Sequence, residues 1–385
     1  MNSKALVEQM TEWRRYLHAH PETAFEEENT AAFIAEKLAE MGIEVHKGIG
    51  KTGVVGVLKI GGGKKSVGLR ADMDAINLNE LGDAPYRSKY AGKMHACGHD
   101  GHVAILLGAA KLISERKDFS GTVVFIFQPA EEPGYGASAM IKDGILERFP
   151  MDEIYALHNS PEMPLGTFHT RVGGIMASED NFVINIKGKG GHASAPHMGT
   201  DPLVIAAEII LALQTIVARN IRPQIPAVVS CTELYTDGSR NAIPTNVTIK
   251  GDTRSNTLEV QKIIETRMRD ICEGICKTHG ADCEFEYTYE FSPTVNWGCC
   301  AKEAIETAKA LVGENNVDSN SMPSMVSEDF GAFTEKIPGC FLFLGTMPKD
   351  GRSVAFLHNS LYDFNDDVLE VGAEFFAELV KNRLS

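Results

Sequence analysis

Nine consecutive residues, Met94-His95-Ala96-Cys97-Gly98-His99-Asp100-Gly101-His102, bring one thiol, three imidazoles and a carboxylate together around two glycines. Thiolate and imidazole bind borderline-soft divalent ions, and glycine lets the backbone turn tightly enough for Cys97 and His99 to face one point. These two are the first candidate ligands. The apolar run TVVFIFQ ends in Pro129-Ala130-Glu131-Glu132-Pro133-Gly134, a pair of adjacent carboxylates in a Pro/Gly turn. Neighbouring side chains on an extended or turning backbone point apart, so one carboxylate can bind metal while the other reaches a nearby water. His158-Asn159 closes EIYALHN, and His358-Asn359-Ser360 follows SVAFL. A lone histidine at a strand end is more often structural than a ligand. Two such His-Asn pairs beside a Cys-x-His segment and a Glu-Glu turn reverse that balance. Cys97, His99, Glu132, His158 and His358 are too many donors for one tetrahedral ion with an open position, and suit two ions sharing a bridge. The Cys97 thiolate can be that bridge.

Composition narrows the class of protein that carries these residues. A chain of 385 residues exceeds the size at which one core keeps growing, which predicts two domains, one of them inserted in the other. The formal net charge of −15 and the lack of a Lys/Arg stripe argue against a nucleic-acid partner, whose phosphates need clustered cations. The opening MNSKALVEQMTEWRRYLHAH lacks the uninterrupted apolar stretch of a signal peptide, and no apolar run is read as reaching membrane-spanning length. A cytoplasmic location without membrane partners is expected. Eight cysteines in a chain of this length without an export signal read as reduced thiols, and only Cys97 has histidine company.

The elements that must position the donors follow from periodicity. Apolar residues recur with helical spacing from Glu8 to about Met41, interrupted at Pro21. Gly53 to Ile60 and Ser66 to Arg70 read as strands joined by a hairpin turn at Gly61-Gly62-Gly63. Then follow a helix from about Gly101 to Arg116, a strand from Gly121 to Gln128, a helix from Gly136 to Leu146 and a strand from Glu153 to His158. This alternation predicts an α/β layer structure with a mixed, largely parallel sheet flanked by helices, whose strand carboxyl ends are the expected ligand site. After Ser178 the order becomes strand, helix (Pro202 to about Asn220), two strands, helix (Thr257 to His279), strand, which resembles a ferredoxin-like α+β insert. From Asn296 the first pattern resumes and ends in a helix near Asp366 to Lys381. The expected division is therefore a discontinuous catalytic domain, 1–178 and 294–385, around an inserted dimerisation or lid domain, 179–293.

Across essentially the whole chain, HPE at 20–22, GLRADMDA at 68–75, MHACGHDGH at 94–102, QPAEE at 128–132, GGHAS at 190–194 and SEDF at 327–330 together resemble the M20 metallopeptidase clan. Within the clan the likeness is to the Cys-containing amidohydrolase subfamily of hippurate hydrolases, N-acyl-amino-acid aminoacylases and auxin-conjugate hydrolases, with bacterial hippurate hydrolases nearest. The resemblance implies Cys97, His99, Glu132, His158 and His358 as ligands of a two-metal centre and Glu131 as general base. It implies that Asp72 orients the catalytic Glu, that His192 stabilises the oxyanion, often from a neighbouring subunit, and that Asn241 and Arg254 hold the substrate carbonyl and carboxylate. Where other branches of the clan place a metal-binding histidine, this chain has Arg70, which cannot ligate; His99 restores the count. Asn77 stands where many relatives have proline.

The expected activity is hydrolysis of N-acyl or N-aroyl amino acids without an organic cofactor, using two divalent ions per subunit, Mn, Zn, Co or Ni. Such ions polarise an amide carbonyl and lower the pKa of a water from about 15.7 toward about 7. Glu131 would take that water's proton and return it to the departing amine. A dipeptidase or carboxypeptidase would use the same centre with a free amine on the acyl side, and a metal-dependent binding protein would need no unliganded base beside Glu132. A homodimer or higher oligomer through the inserted domain is expected.

Overall fold

The computed structural model describes residues 3–349 and 355–385, so Met1 and Asn2 of the opening segment and Ser353 and Val354 of SVAFL lie outside the described residues. The chain forms two compact units, one of Met1–Ile175, Val295–Met322 and Asp329–Ser385, the other of Met176–Thr294 and Pro323–Glu328. The short segment 323–328 thus joins the second unit, although it lies well beyond Thr294 in sequence.

The first unit is an α/β structure on an eight-stranded mixed sheet. Its chain begins with α1 (Ser3–Ala19) and α2 (Glu28–Glu40), then β1 (Glu44–Ile49), β2 (Gly53–Ile60) and β3 (Ser66–Asp72). α3 (His99–Arg116), β4 (Gly121–Gln128), the short α4 (Gly136–Lys142) and, after one further helical turn, β5 (Glu153–Pro164) follow. β4, β3, β5 and the strand Gly339–Met347 run parallel side by side, while β1 and β2 extend the sheet antiparallel beyond β4. The hairpin expected at Gly61-Gly62-Gly63 does not form, because β4 lies between β2 and β3 and pairs with both. β4 carries Val123, Val124, Phe125, Ile126 and Phe127, all buried, and both of its edges are satisfied only by two partners. A strand apolar on both faces belongs in a sheet interior.

α3 starts at His99, two residues before the sequence-based expectation, and is buried on nearly every side from His99 to Ser114. A helix apolar all round needs cover all round, which the sheet, α1 and the C-terminal helix Leu369–Arg383 provide. Gly101 makes the approach possible, since a Cβ there would collide with the Phe364 ring. α1 is bound to this arrangement by charge. Arg14 donates to Asp366 (2.6 Å) and Asp363 (3.1 Å), and His18 bridges Asp100 (2.8 Å) on α3 and Glu80 (3.3 Å).

The second unit is α+β. Its four-stranded antiparallel sheet has the order Ala227–Thr236, Asn246–Ser255, Glu179–Lys187, Asp282–Phe291. Helix Leu258–His279 buries Val260, Ile264, Met268, Cys272 and Cys276, one residue per turn, against it. Thr257 caps its start by accepting from Val260 N, and Gly280, left-handed, ends it. The helical stretch Pro202–Asn220 corrects one point of the sequence reading, that no apolar run reaches membrane-spanning length, since by length and composition alone it does. A third of it is buried, and Ile205, Ile209, Leu213 and Ile216 belong to the core of this unit. All eight cysteines of the chain are free thiols.

Burial alone would lower the His18 pKa, but the Asp100 carboxylate and the Glu80 hydrogen bond outweigh it and lift it to about 9. Against an unfolded value of 6.5, this pairing stabilises the fold fully below about pH 6.5 and is lost as pH rises through about 9, a difference of about 3 kcal/mol. His18→Gln should therefore melt well below the unmutated protein at pH 6, with the gap closing toward about pH 9.5 by the same linkage. A gap independent of pH would show that His18 is not charged in the fold.

Candidate metal centre

The carboxyl ends of the parallel strands bring five sequence-distant segments to one point in the first unit. β3 ends at Asp72, β4 runs into the 129–134 turn, β5 carries His158 and Asn159, the 94–98 loop leads into α3, and His358 arrives on a loop whose amide donates to Ala96 O (2.8 Å). Gly98 permits the turn between Cys97 and His99: its φ is +92°, and a Cβ would strike the Asn159 side chain.

The five expected donors form two overlapping triads. Ligand atoms of Cys97, His99 and His158 lie within 4.8 Å of one another, and so do those of Cys97, Glu132 and His358. Cys97 belongs to both, which is the arrangement a bridging thiolate requires. The outer imidazole nitrogens fix the rings: His99 Nδ1 bonds Asp74 O (2.9 Å), and His158 Nδ1 bonds Asn159 O (2.8 Å), leaving each Nε2 turned inward. His158 Nε2 is 3.5 Å from Cys97 Sγ. The donors suit a cation: His99 Nε2 and Glu132 Oε1 are buried without a hydrogen-bond partner. Burial, and then the Glu132 charge, push the Cys97 thiol up to about 12, so it would become a thiolate at neutral pH only with a cation bound beside it. The centre is a binuclear divalent-metal site.

Glu131 and Glu132 do not point apart as their adjacency predicts: both reach His99 Nε2 (3.9 and 3.8 Å), and ligand atoms of His99, Glu131 and Glu132 lie within 4.8 Å of one another, because the turn after Ala130 folds both side chains toward the same imidazole. Glu132 faces His358 (3.3 Å) and is held below the usual carboxylate range, because the His358 hydrogen bond and the His99 charge outweigh its burial. Glu131 is buried with Oε2 3.9 Å from His99 Nε2. Asp72 is fully buried, yet the His99 and His102 imidazoles and Arg70 overcome the burial and hold its pKa well below the ordinary value. Its carboxylate accepts from His102 Nδ1 (2.5 Å) and Arg70 (2.7 Å) and stands 3.9 Å from His99 Nε2.

The second unit holds the remaining expected site residues. His192 lies on a two-stranded ribbon, paired with Ala242, and Asn241 immediately precedes that partner strand, its carbonyl accepting from Ala193 N (3.0 Å). Both are exposed, and His192 Nδ1 accepts from Ser194 N (3.1 Å). Arg254 on strand Asn246–Ser255 already engages Glu179 (2.8 Å), Asp252 (3.0 Å) and Ser327 (3.2 Å).

Sequence reading missed the supporting layer. His102 Nε2 lies 2.7 Å from Asn159 Oδ1, and Asn159 donates to Tyr362 (2.7 Å), so the Asn of the first His-Asn pair anchors a network. Asp74 accepts from Glu132 N (3.1 Å) as well as supporting His99. The second acid of the DMD segment and the His three residues after His99 were the available signals. Arg70 also donates to Gln128 (2.9 Å) and Asp329 (3.1 Å).

A profile of Peptidase family M20/M25/M40 matches residues 68–382. Hippurate hydrolase of Campylobacter jejuni is 43% identical over 366 residues, covering 95% of this chain and 94% of that one. Thermostable carboxypeptidase 2 of Saccharolobus solfataricus is 40% identical over 378 residues, with coverage of 95% and 94%. The crystal structure of the Bacillus subtilis YXEP protein, described as a dinuclear metal binding peptidase from M20 family, superposes with a TM-score of 0.86 at 34% identity, covering 99% of each chain.

Cys97→Ala should lower metal content and activity together, since the thiolate would be the donor shared by both triads and would offset the repulsion between two cations held there. Cys272→Ala, in the core of the other unit, should leave both intact. A fully metallated, active Cys97→Ala protein would exclude a bridging role.

Proposed function

Because the chain belongs to peptidase family M20/M25/M40 and is a metal-dependent hydrolase of the binuclear amidohydrolase type, we propose that it cleaves the amide bond of N-acyl or N-aroyl amino acids, hippurate among them. The observation that supports this best is the pair of donor triads sharing Cys97, with the Glu131 carboxylate buried beside His99. In this reading Cys97, His99, Glu132, His158 and His358 hold two divalent ions, for which sulfur and imidazole donors suit Zn, Co, Ni or Mn. When bound, the ions supply Lewis-acid polarisation of the amide carbonyl and acidify the attacking water. Glu131 removes the water's proton and delivers it to the amine nitrogen, which would otherwise leave as a strongly basic anion. Asp72, fixed by Arg70 and His102, supplies a permanent negative charge that orients its neighbours. His192 steadies the oxyanion, Asn241 the carbonyl oxygen, and Arg254 the carboxylate of the amino acid, for which a planar guanidinium is suited.

The 40% identity to the Saccharolobus carboxypeptidase supports a second reading, cleavage of a C-terminal residue from a peptide, with the same amide chemistry and a different acyl side. Rates with hippurate, N-acetyl amino acids and unblocked dipeptides, each with Mn, Co and Zn, separate the two. Higher kcat/KM on dipeptides than on N-acyl amino acids would overturn the first. Glu131→Gln should keep its metal and its fold and lose about a hundred- to ten-thousandfold in turnover. Near-normal turnover with metal retained would remove Glu131 from the mechanism.

The second unit is proposed as a dimerisation domain that places His192 of one subunit beside the centre of its partner. Mixing His192→Ala with Glu131→Gln chains then yields a heterodimer with one doubly defective site and one intact site. Activity should reappear, up to about half the normal rate per heterodimer for an isologous pair. No recovery after verified subunit exchange would refute the shared site.

A further inference from the structure

Ala130, the residue before the two glutamates, has φ +49°, the left-handed region that an L-residue with a Cβ avoids. Such strain persists only where surrounding groups over-determine it. Here they do. Ala130 is fully buried; its amide donates to Glu27 Oε1 (2.9 Å), and its carbonyl accepts from Gly136 N (2.9 Å) and Tyr135 N (3.2 Å). Glu27 is itself fully buried at the start of α2, and its other oxygen accepts from the Thr52 hydroxyl (2.6 Å). It belongs to neither donor triad, and 103 residues separate it from the turn it holds.

A carboxylate buried at this depth is costly unless hydrogen bonds offset its lost hydration. The two bonds described here come from a hydroxyl and from the amide of a residue whose own backbone conformation is strained. Directly after the reversal at Ala130 come the two carboxylates of the centre, Glu131 3.9 Å from His99 Nε2 and Glu132 between His99 Nε2 (3.8 Å) and His358 Nε2 (3.3 Å). Asp74 fixes the far side of the same turn by accepting from Glu132 N.

We propose that Glu27 is a positioning residue for the reaction, holding Ala130 in its left-handed conformation so that Glu131 meets the scissile amide at the correct distance while Glu132 remains with Cys97 and His358. The inference deepens the amidohydrolase reading and rests on it for the role of Glu131.

Its test compares Glu27→Ala, Glu27→Gln, Glu131→Gln and the double variant Glu27→Ala/Glu131→Gln, each with metal analysis and with hydrogen exchange of the segment Ala130–Gly136. Glu27→Ala should lower kcat on hippurate about a hundredfold, the scale of an ångström-sized misplacement, with KM and metal content within about twofold of normal by the same reasoning. Amides of the segment should exchange at least about tenfold faster, reflecting local opening. Glu27→Gln keeps an acceptor for Ala130 N and should restore kcat to within about threefold, with slow exchange. The double variant should be no slower than Glu131→Gln alone, because the two changes act through one group.

Normal exchange in Glu27→Ala, a loss confined to KM or metal content, a Gln variant as impaired as the Ala variant, or multiplied losses in the double variant would each overturn the proposal. Near-normal turnover by Glu131→Gln, or failure of every variant and the unmutated protein on hippurate and on N-acetyl amino acids alike, would refute the amidohydrolase reading instead. The exchange measurement would still decide whether Glu27 holds the turn.

Discussion

The Arg70 guanidinium, buried at the carboxyl edge of the sheet, is the interaction on which the centre depends. It donates to Asp72 at the end of its own strand, to Gln128 at the end of the adjacent strand, and to Asp329, which also accepts from Gln128 and from Ala137 N at the start of α4. Strand ends and loops that diverge from a parallel sheet are thereby tied to one planar cation. Removing one member of such a buried set costs about 3–5 kcal/mol, because the charge left behind has no water to turn to. Against other branches of the clan, this position reads only as the loss of a histidine ligand. In the fold the arginine does something else, holding Asp72 in place and joining the His99 and His102 imidazoles in keeping its pKa well below the ordinary value.

The rest of the site follows from strand direction. Parallel strands point one way, and each delivers residues that contribute: Asp72 at the end of β3, the glutamate turn after β4, and His158 and Asn159 midway along β5, which runs on to Pro164 rather than closing at His158. Rigid strands fix these segments to within the tolerance that coordination requires. α3 completes the set, and its burial on nearly all sides explains how the Cys97-Gly98-His99 turn can be both tight and firmly held.

Much of this was legible in the amino-acid sequence, and the reasons it was are chemical. Cys97, His99, Glu131 and Glu132 stand in short segments where residue type and spacing announce a metal site, and the α/β alternation follows from apolar periodicity. What was illegible depends on pairing across long separations. Nothing near Arg70 points to Asp329, 259 residues away, or near Asn159 to Tyr362, 203 residues away. The hairpin at Gly61-Gly62-Gly63 was misread for a related reason: turn residues tell that the chain reverses or bends, not which strand fills the space beside it. β4, arriving much later in the chain, took the place that a local reading gave to β3. The apolar stretch Pro202–Asn220 shows the same limit, since only the fold reveals which of its faces is covered.

At Arg254 the guanidinium already has two carboxylates and a hydroxyl around it, so an incoming anion meets an occupied cation. If Arg254 takes the substrate carboxylate as proposed, association there is an exchange of counter-ions, in which Glu179 or Asp252 gives up its place to the newcomer. Discrimination would then rest on fit, since a planar two-oxygen anion matches the guanidinium fork and a monodentate or misaligned one does not. In the role proposed for Arg254, such a device would reject simple salts and admit carboxylates of the right reach.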